Sequence, residues 1–206
     1  MNAASVIRAG FGEPSAKAGL TLNTSRMLQY ADCAYKSQCQ FMDNRVPSYY
    51  EDGEALTVGT IWHEAMERLA TMPATAVAEW AHSRAVECGE AKWADWFAKA
   101  IVTYAAQYRA FPTGTVLDTE VAFWVHLPAI DLMLRGRIDR VCHHPDYGIV
   151  NGEIKTMSDR VDPNVYIALR KHHIQDRLYH LALCAAERPD NWPAAPVYGT
   201  IYDITR

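Results

Sequence analysis

Two acidic side chains and one lysine stand at spacings that could support metal-dependent chemistry. Glu153 and Lys155 flank Ile154 in a short predicted strand, and residues two apart on a strand point to the same face. Asp139 interrupts the preceding strand, where a charged side chain has no packing role. These three polar groups are therefore the first candidates for function.

The predicted strand register places the two carboxylates opposite each other. A turn over residues 144–148 would pair residue 143 with 149, and hence Asp139 with Glu153 and Arg137 with Lys155. Directly opposed side chains have Cβ atoms only roughly 4.5–5.5 Å apart, so two bare carboxylates would repel each other. A divalent cation such as Mg²⁺ or Mn²⁺ would relieve that repulsion. A solvated salt-bridge cluster explains the same spacing equally well.

Composition narrows the class of protein. The 206 residues carry 20 Lys and Arg against 24 Asp and Glu, a net charge of −4, and half of them are apolar or aromatic. This excludes a disordered chain and fits a globular domain. No apolar run approaches the ~20 residues of a membrane helix, and the N-terminus lacks the order of a signal peptide. We therefore expect a cytoplasmic protein with no membrane partner.

Local patterns divide the chain into an arm, a helical part and a sheet core. Residues 1–20 are predicted to be a flexible arm, and residues 21–206 a single domain whose helical part covers 21–114 and whose sheet core covers 115–206. The helical part is predicted to contain a helix near residue 26, a loop over 43–58, a helix capped by Thr60, and one or two helices over 75–111 with a break at Gly89.

The second half alternates between strands and a helix. Residues 116–126, 131–142 and 149–156 predict three strands of an antiparallel meander. A long helix is predicted from Pro163, and a last strand over 196–203.

Four sequence blocks match the motifs of one known family in type and order. They are residues 59–64 (GTIWHE), 136–140 (GRIDR), 153–156 (EIKT) and 175–179 (QDRLY). Residues 136–140 and 153–156 resemble the two central motifs of the PD-(D/E)xK nuclease superfamily. Residues 59–64 resemble the G-x-x-x-H-E helix start, and 175–179 the Q-x-x-x-Y motif, of its RecB-like branch, which includes the CRISPR-adaptation exonucleases. The resemblance implies an α/β (α+β) fold with a restriction-endonuclease-like αβββαβ core, in which helices flank a mixed sheet, preceded by a helical region.

The resemblance also assigns roles to individual residues. It implies metal ligands in His63, Asp139, Glu153 and the carbonyl of Ile154. It implies a catalytic site made of the following residues: Lys155, Asp139, Glu153, Gln175 and Tyr179. Glu120 is a further candidate acid beside this site. Basic residues nearby suggest a phosphate track, with a solvated helix face as the alternative: Arg137, Arg140, Arg170, Lys171 and Arg177.

The implied activity is a Mg²⁺- or Mn²⁺-dependent DNA nuclease, in particular an exonuclease that leaves 5′-phosphate and 3′-hydroxyl ends. Single strands or duplex ends would be its substrate, in recombination, repair or CRISPR-adaptation-like processing in a bacterial or phage-infected cell. Many relatives hold an iron–sulfur cluster on four cysteines, but only Cys33 and Cys184 fit those positions, so no cluster is expected. A homo-oligomer or a recombination or CRISPR partner protein stays open.

Two other functions remain as alternatives. One is a catalytically silent DNA- or partner-binding module on the same fold. The other is a metallohydrolase of small phosphate esters. Retention of the Asp139, Glu153 and Lys155 set argues against the silent module.

Overall fold

The structure is a computed structural model that describes residues 8–12, 14, 20–23, 27, 53–107, 114–157, 161–170 and 173–205. Of the helix expected near residue 26, only Met27 is described, and it is helical. Most of the loop expected over 43–58 falls outside these residues, and residues 54–58 are helical instead. The described chain forms helices around a mixed six-stranded sheet. This arrangement confirms the α/β fold class.

Helix α1 covers Glu54–Arg68 and begins earlier than the sequence predicts. Val58 is buried three residues before the buried Ile61, so the apolar stripe continues upstream and supports an extra turn. Thr60 is therefore inside the helix rather than at its cap. Its hydroxyl donates a hydrogen bond to the carbonyl of Leu56 at 2.9 Å.

Two further helices follow over residues 74–107, where one or two were predicted over 75–111. Helix α2 covers Ala74–Glu87 and helix α3 covers Ala94–Gln107. Gly89 separates them with a φ of +80°, a conformation that suits glycine. Lys92 follows this break and donates to Glu54 Oε2 at 2.7 Å, which ties the connection to the start of α1.

The sheet core contains the predicted meander and a final parallel strand. Its four strands have the following bounds: β3, Thr115–Leu127; β4, Leu132–His144; β5, Gly148–Thr156; β6, Val197–Thr205. Antiparallel pairing joins β3 to β4 and β4 to β5, and β6 then pairs with β5 in parallel.

The predicted flexible arm contributes to the sheet. Strand β1, Arg8–Phe11, pairs antiparallel with β3. Strand β2, Leu20–Asn23, begins at the last residue of the arm and pairs in parallel with the first residues of β4. The expectation of a flexible arm is therefore wrong at β1 and at Leu20, because the edges of β3 and β4 offer backbone partners that local sequence does not reveal.

The β4–β5 register agrees with the predicted register only near the turn. His143 pairs with Ile149, and the ladder continues to Val141 opposite Asn151. The pairing ends there, so Asp139 and Glu153 are not backbone partners. The two strands separate just before the position at which the carboxylates would meet.

The long helix predicted from Pro163 is interrupted. Helix α4 covers Pro163–Arg170 and helix α5 covers Ile174–Ala185. His173 has extended backbone angles and begins the second helix. The apolar stripe continues across this interruption in the sequence, which explains why periodicity alone predicts one helix.

Two apolar clusters hold these elements together. Ile154 of β5 lies in the cluster formed by α1, α2 and α3. The second cluster joins the sheet to α5 through residues such as Phe123 and Leu178. The helices of the described residues include none that is both long and apolar enough to cross a membrane.

Candidate active site

Asp139 lies in a gap along one edge of β4. The first residues of β4 pair with β2 on this edge, and the last ones, from Val141 onward, pair with β5. Residues 136–140 stand between these two pairings. Asp139 Oδ2 accepts the N–H of Ile154 at 3.5 Å, so a side chain reaches across the place where the backbone ladder ends.

His63 on α1 approaches the same carboxylate. Its Nδ1 lies 3.5 Å from Asp139 Oδ2. Burial lowers the pKa of His63, and the positive charge of Lys155 lowers it further, against the opposite influence of Glu153 and Glu120. The imidazole is therefore neutral at neutral pH, the form that binds a metal ion.

Glu153 is fully buried and has two differently placed oxygens. Oε1 lies 2.7 Å from Lys155 Nζ and accepts a hydrogen bond from Gln175 Nε2 at 3.5 Å. Oε2 has no hydrogen-bond partner among the described residues. A buried acceptor without a partner is costly unless something else satisfies it, and a cation is one such group.

Asp139 and Lys155 respond to Glu153 in opposite ways. Burial raises the pKa of Asp139 to about 7, and the nearby Glu153 carboxylate raises it further. Burial would lower the pKa of Lys155, but the charge of Glu153 and its hydrogen bond outweigh burial and raise that pKa. The lysine is therefore held protonated, while the aspartate is reluctant to ionise without a compensating positive charge.

Glu120 adds a third carboxylate and a strained backbone. It stands on β3 between two residues that pair with Arg140 and Ile138 of β4, opposite Asp139. Its φ of +52° is in the left-handed region, which residues other than glycine seldom adopt. Such conformations cost about 1–3 kcal/mol and concentrate at functional sites. The expectation that Glu120 stands beside the site agrees with this position.

An open cleft of about 730 Å³ is lined by His63, Glu120 and Lys155 of this group. It is lined by carboxylates and cations in nearly equal number, with His63 between them. The charged lining residues are the following: Glu64, Glu67, Glu120, Arg137 and Lys155. Because three carboxylates face two cations, the protein alone offers a phosphate backbone little attraction here.

Arg170 is placed inside the site rather than on a DNA track. Its Nη2 donates to Gln175 Oε1 at 3.0 Å and lies 3.9 Å from Glu153 Oε1. Its Nε contacts Tyr202 OH at 3.3 Å and Asp176 Oδ2 at 3.7 Å. The prediction that Arg170 contacts DNA does not fit a guanidinium that is mostly buried among these partners.

Gln175 and Tyr179 meet on α5 as their spacing predicts. Gln175 Nε2 donates to Tyr179 OH at 2.8 Å and also reaches Glu153 Oε1. Tyr179 is buried against Phe123, whose ring it meets edge to face. The pair therefore links the core to the buried carboxylate, and Gln175 is the member within reach of the site.

The remaining candidates for DNA binding are placed differently from one another. Arg140 is only 2% exposed, and its guanidinium lies 3.6 Å from the buried Asp203, so it has no surface to offer DNA. Arg137 is exposed at the cleft and pairs with Glu120 at 3.1 Å. Arg177 is exposed on α5. Lys171 lies outside the described residues.

The predicted ligands are of chemical types that a divalent cation accepts. In the stretches of chain that the structure describes, no three His, Cys, Asp or Glu side chains already form a chelating group. Asp139 nevertheless joins His63 to the backbone of Ile154, and Glu153 Oε2 is an unsatisfied buried oxygen. Carboxylate oxygens with one neutral imidazole suit Mg²⁺ and Mn²⁺.

Sequence reasoning did not find Tyr202 or Asp176. Tyr202 lies opposite Glu153 in the parallel β5–β6 register, and its hydroxyl donates a hydrogen bond to Asp176. Both residues hold Arg170 in position. Tyr202 meets Arg170 only after β6 has paired beside β5, so no local pattern identifies it. Asp176 follows Arg170 by only six residues, but the two meet across the interruption between α4 and α5, which the apolar periodicity does not reveal.

Comparison with known proteins now adds to this geometry. No curated protein matches the chain to a significant level. The family model of the PD-(D/E)XK nuclease superfamily matches residues 21–205, which cover both the helical part and the sheet. The chain therefore belongs to the PD-(D/E)XK nuclease superfamily.

Proposed function

We propose that the protein is a Mg²⁺- or Mn²⁺-dependent DNA exonuclease of the RecB-like branch, which leaves 5′-phosphate and 3′-hydroxyl ends. Membership of the superfamily supports a metal-dependent nuclease with DNA as its substrate. The observation that carries the proposal is the buried Glu153, with one oxygen on Lys155 and the other without a described partner.

The proposed metal ligands are His63, Asp139, Glu153 and the carbonyl of Ile154. A divalent cation bound there would polarise a phosphate oxygen and lower the pKa of a water molecule. Asp139 is suited to this role because its charge is unfavourable in the protein alone, so ionisation and metal binding are coupled. His63 supplies a neutral nitrogen and holds the Asp139 carboxylate in place.

Lys155 acts as a cation rather than as a base. Its raised pKa keeps the ammonium charged at neutral pH, so it is suited to stabilise negative charge that develops on the phosphate. It can also orient a water molecule by donating a hydrogen bond. Its contact with Glu153 holds the ammonium at the cleft in advance.

Gln175 and Arg170 position Glu153. Both contact Oε1 of Glu153. They therefore fix the orientation of the carboxylate and leave Oε2 for a different partner. Arg170 is itself fixed by Tyr202 and Asp176. We assign these two residues a positioning role, and leave the contacts with DNA phosphates to Arg137 and to α5.

DNA binding at the cleft should depend on the divalent cation. The carboxylates of the lining outnumber its lysine and arginine side chains, and they would repel phosphates. A bound cation reverses this balance locally. The proposal includes action on single strands or duplex ends, in recombination, repair or CRISPR-adaptation-like processing in a bacterial or phage-infected cell.

The test is a cleavage assay on linear and circular DNA, single- and double-stranded, with Mg²⁺, Mn²⁺ or EDTA. We expect loss of linear DNA only, dependent on metal and abolished by Lys155→Ala. Lys99→Ala, at an exposed position of α3, is the matched control and should retain full activity. Cleavage of circles would make the enzyme an endonuclease. Retained DNA binding without any cleavage would favour the silent binding module.

A further inference from the structure

Three aromatic rings form a column beside the β4–β5 turn. His144 at the end of β4, Tyr147 in the turn and Tyr198 on β6 stack in this order. Neighbouring ring centroids are 4.5 Å and 4.6 Å apart, and the planes differ by 26° and 23°. The column is therefore a nearly parallel stack that is ordered by the protein itself.

The column lies at the surface rather than in a core. Tyr147 is 41% exposed and Tyr198 is 65% exposed, and neither belongs to the two apolar clusters. The other aromatic pairs among the described residues meet at larger interplanar angles, from 48° for Trp62 and Trp96 to 83° for Phe123 and Tyr179 and 89° for Tyr166 and Tyr202. A parallel stack with an exposed end can be extended by one more planar ring.

A cavity of about 420 Å³ lies at the end of this column. Tyr198 lines it together with Arg170, Arg177 and Tyr202. Arg170 also reaches Glu153 Oε1 at 3.9 Å. The guanidinium that contacts the buried carboxylate therefore also lines the cavity at the end of the aromatic column.

The chemistry of this cavity matches a single strand of nucleic acid. Arg170 and Asp176 lie 3.7 Å apart and offset each other, while Arg177 is exposed, so the lining keeps a net positive charge that favours anions. Exposed aromatic rings beside cationic side chains bind single strands by base stacking and phosphate contact. Inside a duplex both faces of each base are already stacked, so Tyr198 could reach only an unpaired or terminal base.

Strand β6 sets the distance between the aromatic column and the Glu153 site. Tyr202 lies opposite Glu153, and Tyr198 precedes it by four residues on the same strand. At about 3.3 Å per residue this corresponds to about 13 Å. A stacked strand rises about 3.4 Å per nucleotide, so about four nucleotides at most fit between the two places.

We propose that the column of His144, Tyr147 and Tyr198 is a base-stacking subsite for single-stranded DNA, within about four nucleotides of the candidate active site. This inference rests on the proposed nuclease function for the identity of its ligand. The stacked base would hold the strand, while Arg177 would contact its phosphates. The subsite takes no part in the chemical step.

The test uses oligothymidines with phosphorothioate linkages that carry one 2-aminopurine, placed at each successive position from either end. Stacking on an aromatic ring quenches the fluorescence of this base. We expect quenching in the wild-type protein with Mg²⁺ to peak at one position near an end. Tyr147 could accept the base when Tyr198 is removed, so both Tyr198→Ala and the double variant Tyr147→Ala/Tyr198→Ala are needed.

The double variant should lose the quenching peak and bind the oligonucleotide about 5- to 150-fold more weakly. Tyr198→Phe keeps the ring and should behave like the wild type. An unchanged peak in the double variant, or uniform quenching in the wild type, would overturn the subsite. Cleavage of unmodified linear DNA is measured in parallel. Cleavage without a quenching peak would contradict the subsite alone, and a peak without cleavage would contradict the nuclease alone.

Discussion

The two ends of the β4–β5 pair are built from opposite kinds of residue. At the turn end, the buried Val141 and Cys142 pair in register with Asn151 and Val150. At the other end the strands separate, and Asp139 reaches toward Ile154 with its side chain instead. The paired end satisfies its own backbone. The open end brings charged groups together where they are not fully compensated, and that is where a cation can act.

The negative charge of Asp139 at the open end is unfavourable in the metal-free protein. Removing this charge should have the largest effect on DNA cleavage. Asp139→Asn should reduce cleavage of linear DNA by about 10³-fold, the equivalent of roughly 4 kcal/mol of lost transition-state stabilisation. The metal-free protein should not become less stable, because the amide removes repulsion with Glu153. Turnover with Mg²⁺ and urea unfolding in EDTA measure the two quantities. Near-normal cleavage by this variant would refute the role of Asp139.

The same residue predicts how the stability of the metal-free protein depends on pH. The native pKa of Asp139 is raised to about 7 from an ordinary value of 3.8. Between these values the native state binds more protons than the unfolded state, so the free energy of unfolding falls as pH rises. The slope contributed by this group is at most about 1.4 kcal/mol per pH unit. Urea unfolding in EDTA across this range should show the slope, and Asp139→Asn should lack it.

A substitution at the paired end should reduce the stability of the protein without weakening its metal binding. Gly148 has a φ of +81°, and a Cβ there would meet the carbonyl oxygen of Pro196 at 2.5 Å. Gly148→Ala should therefore destabilise the protein by about 1–3 kcal/mol. Thermal unfolding measures this loss. Binding of Mn²⁺ well below the unfolding transition should match the wild type, and a weakened site would show that the two ends are not independent.

The smallest effect is expected at the rim of the cleft. Arg137 is exposed and pairs with Glu120 at 3.1 Å, and exposed ion pairs contribute only about 0–1 kcal/mol to stability. Arg137→Gln should leave the unfolding free energy nearly unchanged. If it contacts one phosphate, it should lower the salt dependence of DNA binding by about one unit of slope. Binding isotherms at several salt concentrations test this, with Arg84→Gln on α2 as a surface control.

Local sequence could predict the paired end more fully than the open end. The short turn before Ile149 sets the register of the adjacent pairs, so the alignment of β4 with β5 follows from a few neighbouring residues. The point at which the strands separate depends on β2, which occupies the other section of the β4 edge. That strand lies more than a hundred residues earlier in the sequence, beyond the reach of any local pattern.

The contacts of the site residues also differ in how far local sequence can predict them. Gln175 and Tyr179 are four apart on one helix, so their contact follows from helical spacing. Arg170 carries the positive charge expected of a DNA contact. Parallel pairing of β6 with β5 nevertheless places Tyr202 beside it, within the candidate active site. Charge type can be read from the sequence. The partner of each charge depends on strands that come together only in the fold.

We propose above all that the separation of β4 from β5 creates a divalent-metal site on Asp139 and Glu153. A Mn²⁺ titration followed by electron paramagnetic resonance tests it most directly. We expect a tight class of bound Mn²⁺ in the wild type that is lost in both Asp139→Asn and Glu153→Gln. Asp146→Asn, at an exposed position of the paired end, should keep it. Tight Mn²⁺ binding that persists in the first two variants would contradict the claim.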